Sequence, residues 1–241
     1  MISNFFSFTF YNPLYNGLVF IINHTPGADL GVAVILFTCV VKFILIPLSK
    51  SSVKTQLKMK ALEPELNKIK EKTANNKEEQ AKLTLDFYKK NNLNPFSGIL
   101  LMLIQLPIIL SLAKIFYTSG LPHIDPQILY SFIPNPQIVN VLFLGLLDIT
   151  KKNIWLSIVV GITQFIQIRY SVPAFVPTGK GGKQEDFARS MNVQMRYTMP
   201  AIVFLISFSL TSAISLYWIT SNIFAIAQEL YFRKTIKKDI K

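Results

Sequence analysis

No Lys or Arg occurs before position 42, and residues 28–41 carry a single charge, Asp29. Uncharged apolar runs of this length do not suit the short strands or one-sided helices of a water-soluble domain. Comparable runs recur near 95–117, 154–170 and 192–231. With 51% hydrophobic and only 16% charged residues, most of the chain is expected to lie in lipid.

The net charge of +12 would suggest nucleic acid in a soluble protein. Here the lysines gather between the apolar runs and at the C-terminal end, which is a topology signal, and no specific nucleic-acid partner is expected. The uncharged start excludes the basic beginning of a cleavable signal peptide or a transit peptide, so the first span is expected to be retained. Cys39 is the single cysteine, which rules out a disulfide framework and a Cys-based metal site.

Residues 5–23 are apolar but punctuated by Asn12, Pro13, Asn16 and Gly17, and they read as a short interfacial helix near 14–22 within an outer-side segment 1–27. The first span is expected at 28–48, about 20 residues or roughly 30 Å of helix, with Pro47 marking its end. Segment 49–92 holds eleven lysines against six acids. Its helix formers predict a cytoplasmic helical hairpin, 50–73 and 77–91, hinged at Ala74-Asn75-Asn76. A second span at 95–117 contains Pro107, which should kink it. Proline-rich 118–153 reads as a loop dipping partly into the interface. A third span at 154–170 precedes a polar loop, 171–189, whose Gly179-Lys180-Gly181-Gly182-Lys183 run lacks phosphate-loop spacing.

Residues 191–231 are too long for one crossing, since a single helix would reach roughly 60 Å. Spans at 192–209 and 212–231, turning near 209–212, fit better, and a basic tail, 233–241, follows. Five spans with the N-terminus outside put every basic segment on the cytoplasmic face, whereas four would misplace the tail. The expectation is an all-α membrane protein: a five-transmembrane-helix core at 28–232, a cytoplasmic helical hairpin and an N-terminal interfacial helix.

No catalytic motif is present, His24 and His123 stand alone, and neither an enzyme nor a cofactor is expected. What remains is a set of polar side chains inside spans, where each needs a partner or water. Lys42 lies about 9 Å from the inner end of its span. It either snorkels to the headgroups or lines a wet cavity. Gln105 in the second span, Thr163, Gln164 and Gln167 in the third, and Thr211, Ser215, Trp218 and Asn222 in the fifth extend the set. The last four, spaced four, three and four apart, share one helix face. Each could be interhelical glue. Together with Lys42 they suggest a hydrated intramembrane groove.

Several blocks resemble the YidC/Oxa insertase family: Val41-Lys42-Phe43-Ile44-Leu45-Ile46-Pro47-Leu48-Ser49-Lys50, 59–64, Asn94-Pro95-Phe96-Ser97-Gly98 and Ile104-Gln105-Leu106-Pro107-Ile108. Gly161-Ile162-Thr163-Gln164-Phe165, Met199-Pro200 and Ser215-Leu216-Tyr217-Trp218, running on through Asn222 to Gln228, continue the series in family order. The resemblance implies a groove open to cytoplasm and lipid and closed outside, through which client membrane proteins are inserted and helped to fold. The family's groove arginine maps onto Lys42, which keeps the charge and loses the planar fork. The resemblance further implies a bacterial plasma (inner) membrane location. The partners it implies are nascent membrane-protein clients, the ribosome, the Sec translocon and anionic phospholipids. The alternatives are a small-molecule transporter or channel, for which no inverted repeat is found, and an assembly chaperone for a membrane complex.

Overall fold

The computed structural model describes residues 5–73, 76–94, 97–117, 121–171 and 189–239. The chain is predominantly helical. Two compact units emerge, Met1–Ile44 with Gln105–Ala227, and Leu45–Ile104 with Gln228–Lys241.

A π-helical turn, Ser7–Tyr11, runs directly into α1 (Asn12–His24), so the N-terminal helix is longer than the 14–22 read from sequence. Pro13 sits in the first turn of α1, where its missing N–H costs nothing. A bend at Pro26–Ala28, with Gly27 at φ 67°, reverses the chain into α2 (Leu30–Ile44). Asp29 starts that helix. One of its carboxylate oxygens accepts from the Gly31 and Val32 amides at 2.8 and 3.0 Å, and the other accepts from the Leu144 amide at 2.7 Å. The lone charge in the first apolar run is therefore an N-cap that also fastens a distant loop.

The expected first span, 28–48, is broken at Leu45 (φ −85°, ψ 0°), where α3 (Ile46–Ala61) begins. Pro47 opens α3 and does not close α2, because a proline is tolerated in a first helical turn. The same effect divides the expected helix 50–73 at Leu62: Pro64 lies in the first turn of α4 (Glu63–Lys72). Of the expected hinge, Ala74 and Asn75 fall outside the described residues. Asn76 caps α5 (Lys77–Lys90), its side chain accepting from the Glu79 amide at 3.1 Å. Helices α4 and α5 pack together, and Val53 of α3 is buried with Phe232 and Ile236 in the same unit.

Helix α6 (Ser97–Tyr117) carries Pro107 in its interior. The stretch expected to be a loop contains instead a small antiparallel hairpin, β1 (Leu142–Phe143) and β2 (Leu147–Asp148). Its turn uses left-handed backbone at Leu144 (φ 51°) and Gly145 (φ 72°). The hairpin is the one departure from an all-α chain among the described residues, and Gly145 supplies the left-handed turn that lets the expected loop pair with itself. Phe143 lies flat against α2 at Gly31, where an added Cβ would come within 2.7 Å of the phenylalanine Cβ.

Helix α7 (Ile154–Ser171) is capped by Asn153, whose side chain accepts from the Trp155 and Leu156 amides. The expected loop 171–189, with its glycine-lysine run, lies outside the described residues except for its two end residues. A π turn, Gln194–Thr198, leads into α8 (Met199–Ser209). After a break at Leu210 (ψ 172°), α9 (Ser212–Asp239) follows. The expected last span and basic tail are one helix as far as Asp239, since nothing between 231 and 239 is Gly or Pro to stop it.

Large apolar side chains point outward along these helices, among them Leu103, Leu106 and Leu110 of α6 and Ile162 and Ile166 of α7. Such surfaces are unfavourable in water and suit hydrocarbon. Among the described residues no single helix is long and apolar enough to cross a membrane, while α2 and α3 meet the length and composition together as a bent pair.

Candidate functional site

Lys42 occupies the last turn of α2. Its ammonium donates to Gln105 Oε1 of α6 at 3.3 Å, and the Gln105 amide donates in turn to the hydroxyl of Tyr217 on α9. Three helices are thus joined by one polar chain. Tyr217 is fully buried, while Lys42 and Gln105 are half-buried. Among the described residues no carboxylate lies within ion-pair range of Lys42. A lysine has three donors and Gln105 takes one. Because the partner is a neutral amide, the positive charge is held in place and not cancelled.

The other residues singled out by sequence fall into separate groups. Asn222 donates to Thr163 Oγ1 at 3.2 Å, and Thr163 bonds back to the Val159 carbonyl. Gln164 donates to Gln167 at 3.2 Å, and Gln167 to Ser171 at 3.0 Å, a line along one face of α7. Ser215 lies 2.9 Å from Ser207 of α8, which also donates to Ser157 of α7 at 3.4 Å. That buried trio behaves as interhelical glue. Thr211 is buried at the break between α8 and α9, with no hydrogen-bond partner for its hydroxyl among the described residues. Trp218 is buried one residue beyond Tyr217. Lys42 and Gln105 are therefore brought together, Asn222 and Thr163 form a second contact, and Ser215 belongs to a third.

Two residues escaped the sequence reading. Tyr217 stood inside the Ser215-Leu216-Tyr217-Trp218 block, and a tyrosine hydroxyl in an apolar helix needs a partner, which is the signal that could have found it. Lys114, in the last turn of α6, is a second cation in an apolar helix, and its ammonium sits 4.2 Å from the centroid of the Tyr11 ring.

At the end of the unit where α1 meets the segment 121–153, polar side chains fasten the loop. Asn16 donates to the Ile128 carbonyl at 2.9 Å and accepts from the Tyr130 amide at 2.7 Å. The Tyr15 hydroxyl accepts from the Asp125 amide, and Asn23 donates to the Pro134 carbonyl. Lys151 and Ile149 carbonyls receive the first amides of α9. This end is fastened by backbone-directed hydrogen bonds, which hold a chain regardless of its own side chains.

The profile of the family described as 60Kd inner membrane protein matches residues 21–239 of the chain. The chain belongs to that family. It is 30% identical over 229 residues to a protein of Fusobacterium nucleatum subsp. nucleatum named membrane protein insertase YidC, covering 93% of this chain and 97% of the relative. A protein of the same name from Staphylococcus aureus (strain JH9) is 30% identical over 259 residues, covering 99% of this chain and 80% of the relative. The family's name places its members in the inner membrane, and the outward apolar faces of α6 and α7 agree with that setting. The chain from Lys42 through Gln105 to Tyr217 carries a positive charge with no carboxylate beside it among the described residues.

Proposed function

We infer that this chain is a membrane protein insertase working through a hydrophilic groove at Lys42, with Gln105 and Tyr217 holding the lysine in place. The relatives' name carries the activity to this chain. The observation that supports the groove is a lysine on an apolar helix bonded to a neutral amide, with no carboxylate beside it among the described residues. A hydrated pocket in the inner half of the bilayer shortens the apolar distance that a polar client tail must cross, without ATP. Lys42 attracts acidic residues of the tail, the apolar part of the client leaves sideways into lipid, and burial of apolar surface drives the transfer. Gln164, Gln167, Trp218 and Asn222 complete the groove wall. The hydrogen-bonded end near 121–153 is its closed, outer side.

The topology that goes with this reading has five spans with the N-terminus outside. The hairpin 49–92 and the end of α9 lie in the cytoplasm, where they face nascent clients, the ribosome, the Sec translocon and anionic phospholipids. Nothing in the comparisons supports a transporter or channel.

The deciding experiment measures insertion of a single-span client with an acidic N-terminal tail into proteoliposomes carrying matched amounts of each variant. Lys42→Arg should insert, Lys42→Leu should be impaired, and Lys42→Glu should be worst because it repels the tail. Equal insertion by the Lys, Leu and Glu forms would sink the groove-charge reading. Cysteines placed at positions 75 and 239 in a Cys39→Ser background should resist an impermeant thiol reagent added outside intact cells, and labelling of either would overturn the five-span topology.

A further inference from the structure

A second basic feature lies away from the Lys42 chain. Arg169, in the last turn of α7, and Arg196, in the π turn ahead of α8, line one cleft of about 70 Å³ together with Phe165 and Tyr197. A single water needs about 10–15 Å³ of such space, so the cleft accommodates a small group such as a phosphate and not a folded peptide.

The placement has three causes in the sequence. Gly161 lets α7 and α8 approach so closely that an added Cβ would lie 3.2 Å from that of Phe204. One turn further on, Phe165 and Tyr197 meet with ring centroids 6.0 Å apart, forming the cleft's apolar wall. The π turn then widens the helix at Arg196, a local irregularity that recurs at functional sites in other proteins. Two arginines lining one cleft favour an anion there, and the planar donor fork of a guanidinium matches the oxygens of a phosphate. Ile166, beside Phe165 on α7, and Ile202 on α8 are exposed, so the helices that flank the cleft also present apolar surface.

We propose that Arg169 and Arg196 form a headgroup site for a single anionic phospholipid, its phosphate in the cleft and its acyl chains along the exposed face of α7 and α8. The site rests on the membrane setting inferred above but not on client insertion, so it can fail or hold independently of the Lys42 groove. An anionic lipid there would bridge the two helices at the membrane surface.

The test uses the full chain purified in detergent and exchanged into nanodiscs of phosphatidylcholine with a minor fraction of phosphatidylglycerol. Native mass spectrometry counts the phosphatidylglycerol that stays bound after gentle release. Arg169→Gln with Arg196→Gln should lower its occupancy roughly tenfold or more, the equivalent of one lost charge-assisted hydrogen bond. Lys151→Gln with Lys152→Gln, which removes the same charge at the opposite end of α7, should leave occupancy unchanged. Excess inorganic phosphate should compete poorly, because it lacks the acyl contacts. Full displacement by phosphate would make this a free-phosphate site, and equal loss in the lysine control would reduce it to bulk charge. Either result overturns the proposal, as does unchanged occupancy in the arginine variant. If the double variant does not fold, exposed Arg169→Gln alone should still lower occupancy, and the charge-preserving Arg169→Lys should recover part of it.

Discussion

Lys42 and Lys114 are the same residue in the same helical setting, each in the last turn of an apolar helix where the C-terminal dipole favours a cation. Their partners differ. Lys42 meets a neutral glutamine whose other end is held by a buried tyrosine, which leaves donors and charge available. Lys114, about 14 Å further along α6 than Gln105 at helical rise, sits over the face of Tyr11, and that ring is itself buried. One cation is presented and the other is absorbed into packing. What a charge in an apolar helix does is therefore set by its acceptor and not by its residue type or its depth.

The largest expected effect separates the two by client charge. For a client whose tail is basic, Lys42→Glu should raise insertion where it abolishes that of an acidic tail. The swing is on the order of a hundredfold, since attraction turns to repulsion at near-contact distance in a medium of intermediate dielectric. Lys114→Glu, compared per folded molecule in the same proteoliposomes, should show no such client dependence. A client-dependent reversal at Lys114 would erase the distinction between the two lysines.

Next in size is Gly31→Ala, which probes the hydrogen-bonded end that Lys114 shares with α1 and the β hairpin. The new methyl would meet Phe143 at an impossible distance. The shift of the hairpin should cost about 1–3 kcal/mol, an overpacking penalty visible as a lower melting temperature in detergent. Insertion measured on the folded fraction should hold near the parental rate if the Lys42 end works separately.

Smaller still is the Tyr11–Lys114 pair. Tyr11→Leu should destabilise by about 1–2 kcal/mol because the cation loses its ring. Adding Lys114→Met should recover part of that loss. A coupling energy near zero in this double-mutant cycle would show that the contact holds nothing together.

The smallest effect is expected from Tyr217→Phe, which removes only the hydroxyl that accepts from Gln105. It should cost about 0.5–1.5 kcal/mol of stability. Insertion should fall less than for Lys42→Leu, since the charge remains and only its anchoring loosens. A defect as deep as that of Lys42→Leu would make Tyr217 a direct participant.

Local chemistry accounts for what could be read in advance. The apolar runs and low charge pointed to lipid, because that tendency is a property of composition over a window. The break between α8 and α9 was legible from length alone, as one helix of forty residues would overshoot any bilayer. The prolines were visible but their meaning was not. Pro47 and Pro64 were expected to end a helix or go unnoticed, yet both open one. A proline forbids the backbone only on its N-terminal side, so the chain can resume at once. The β hairpin at 142–148 was hidden because its pairing depends on α2 and Asp29 being nearby, a contact more than a hundred residues away in sequence.

At the candidate site the division runs along the same line. Lys42, Gln105, Thr163 and Asn222 stood out from sequence because a polar group in an apolar run is conspicuous wherever it ends up. Their sorting into partners did not, because nine polar residues admit many pairings and spacing restricts only those on one helix. The three-dimensional packing joined Lys42 to Gln105 and Tyr217, gave Asn222 to Thr163, and drew Ser215 into a serine trio with Ser207 and Ser157. Residue chemistry dictated that these groups must be satisfied, and the meeting of helices distant in sequence selected which would be left with charge to spare.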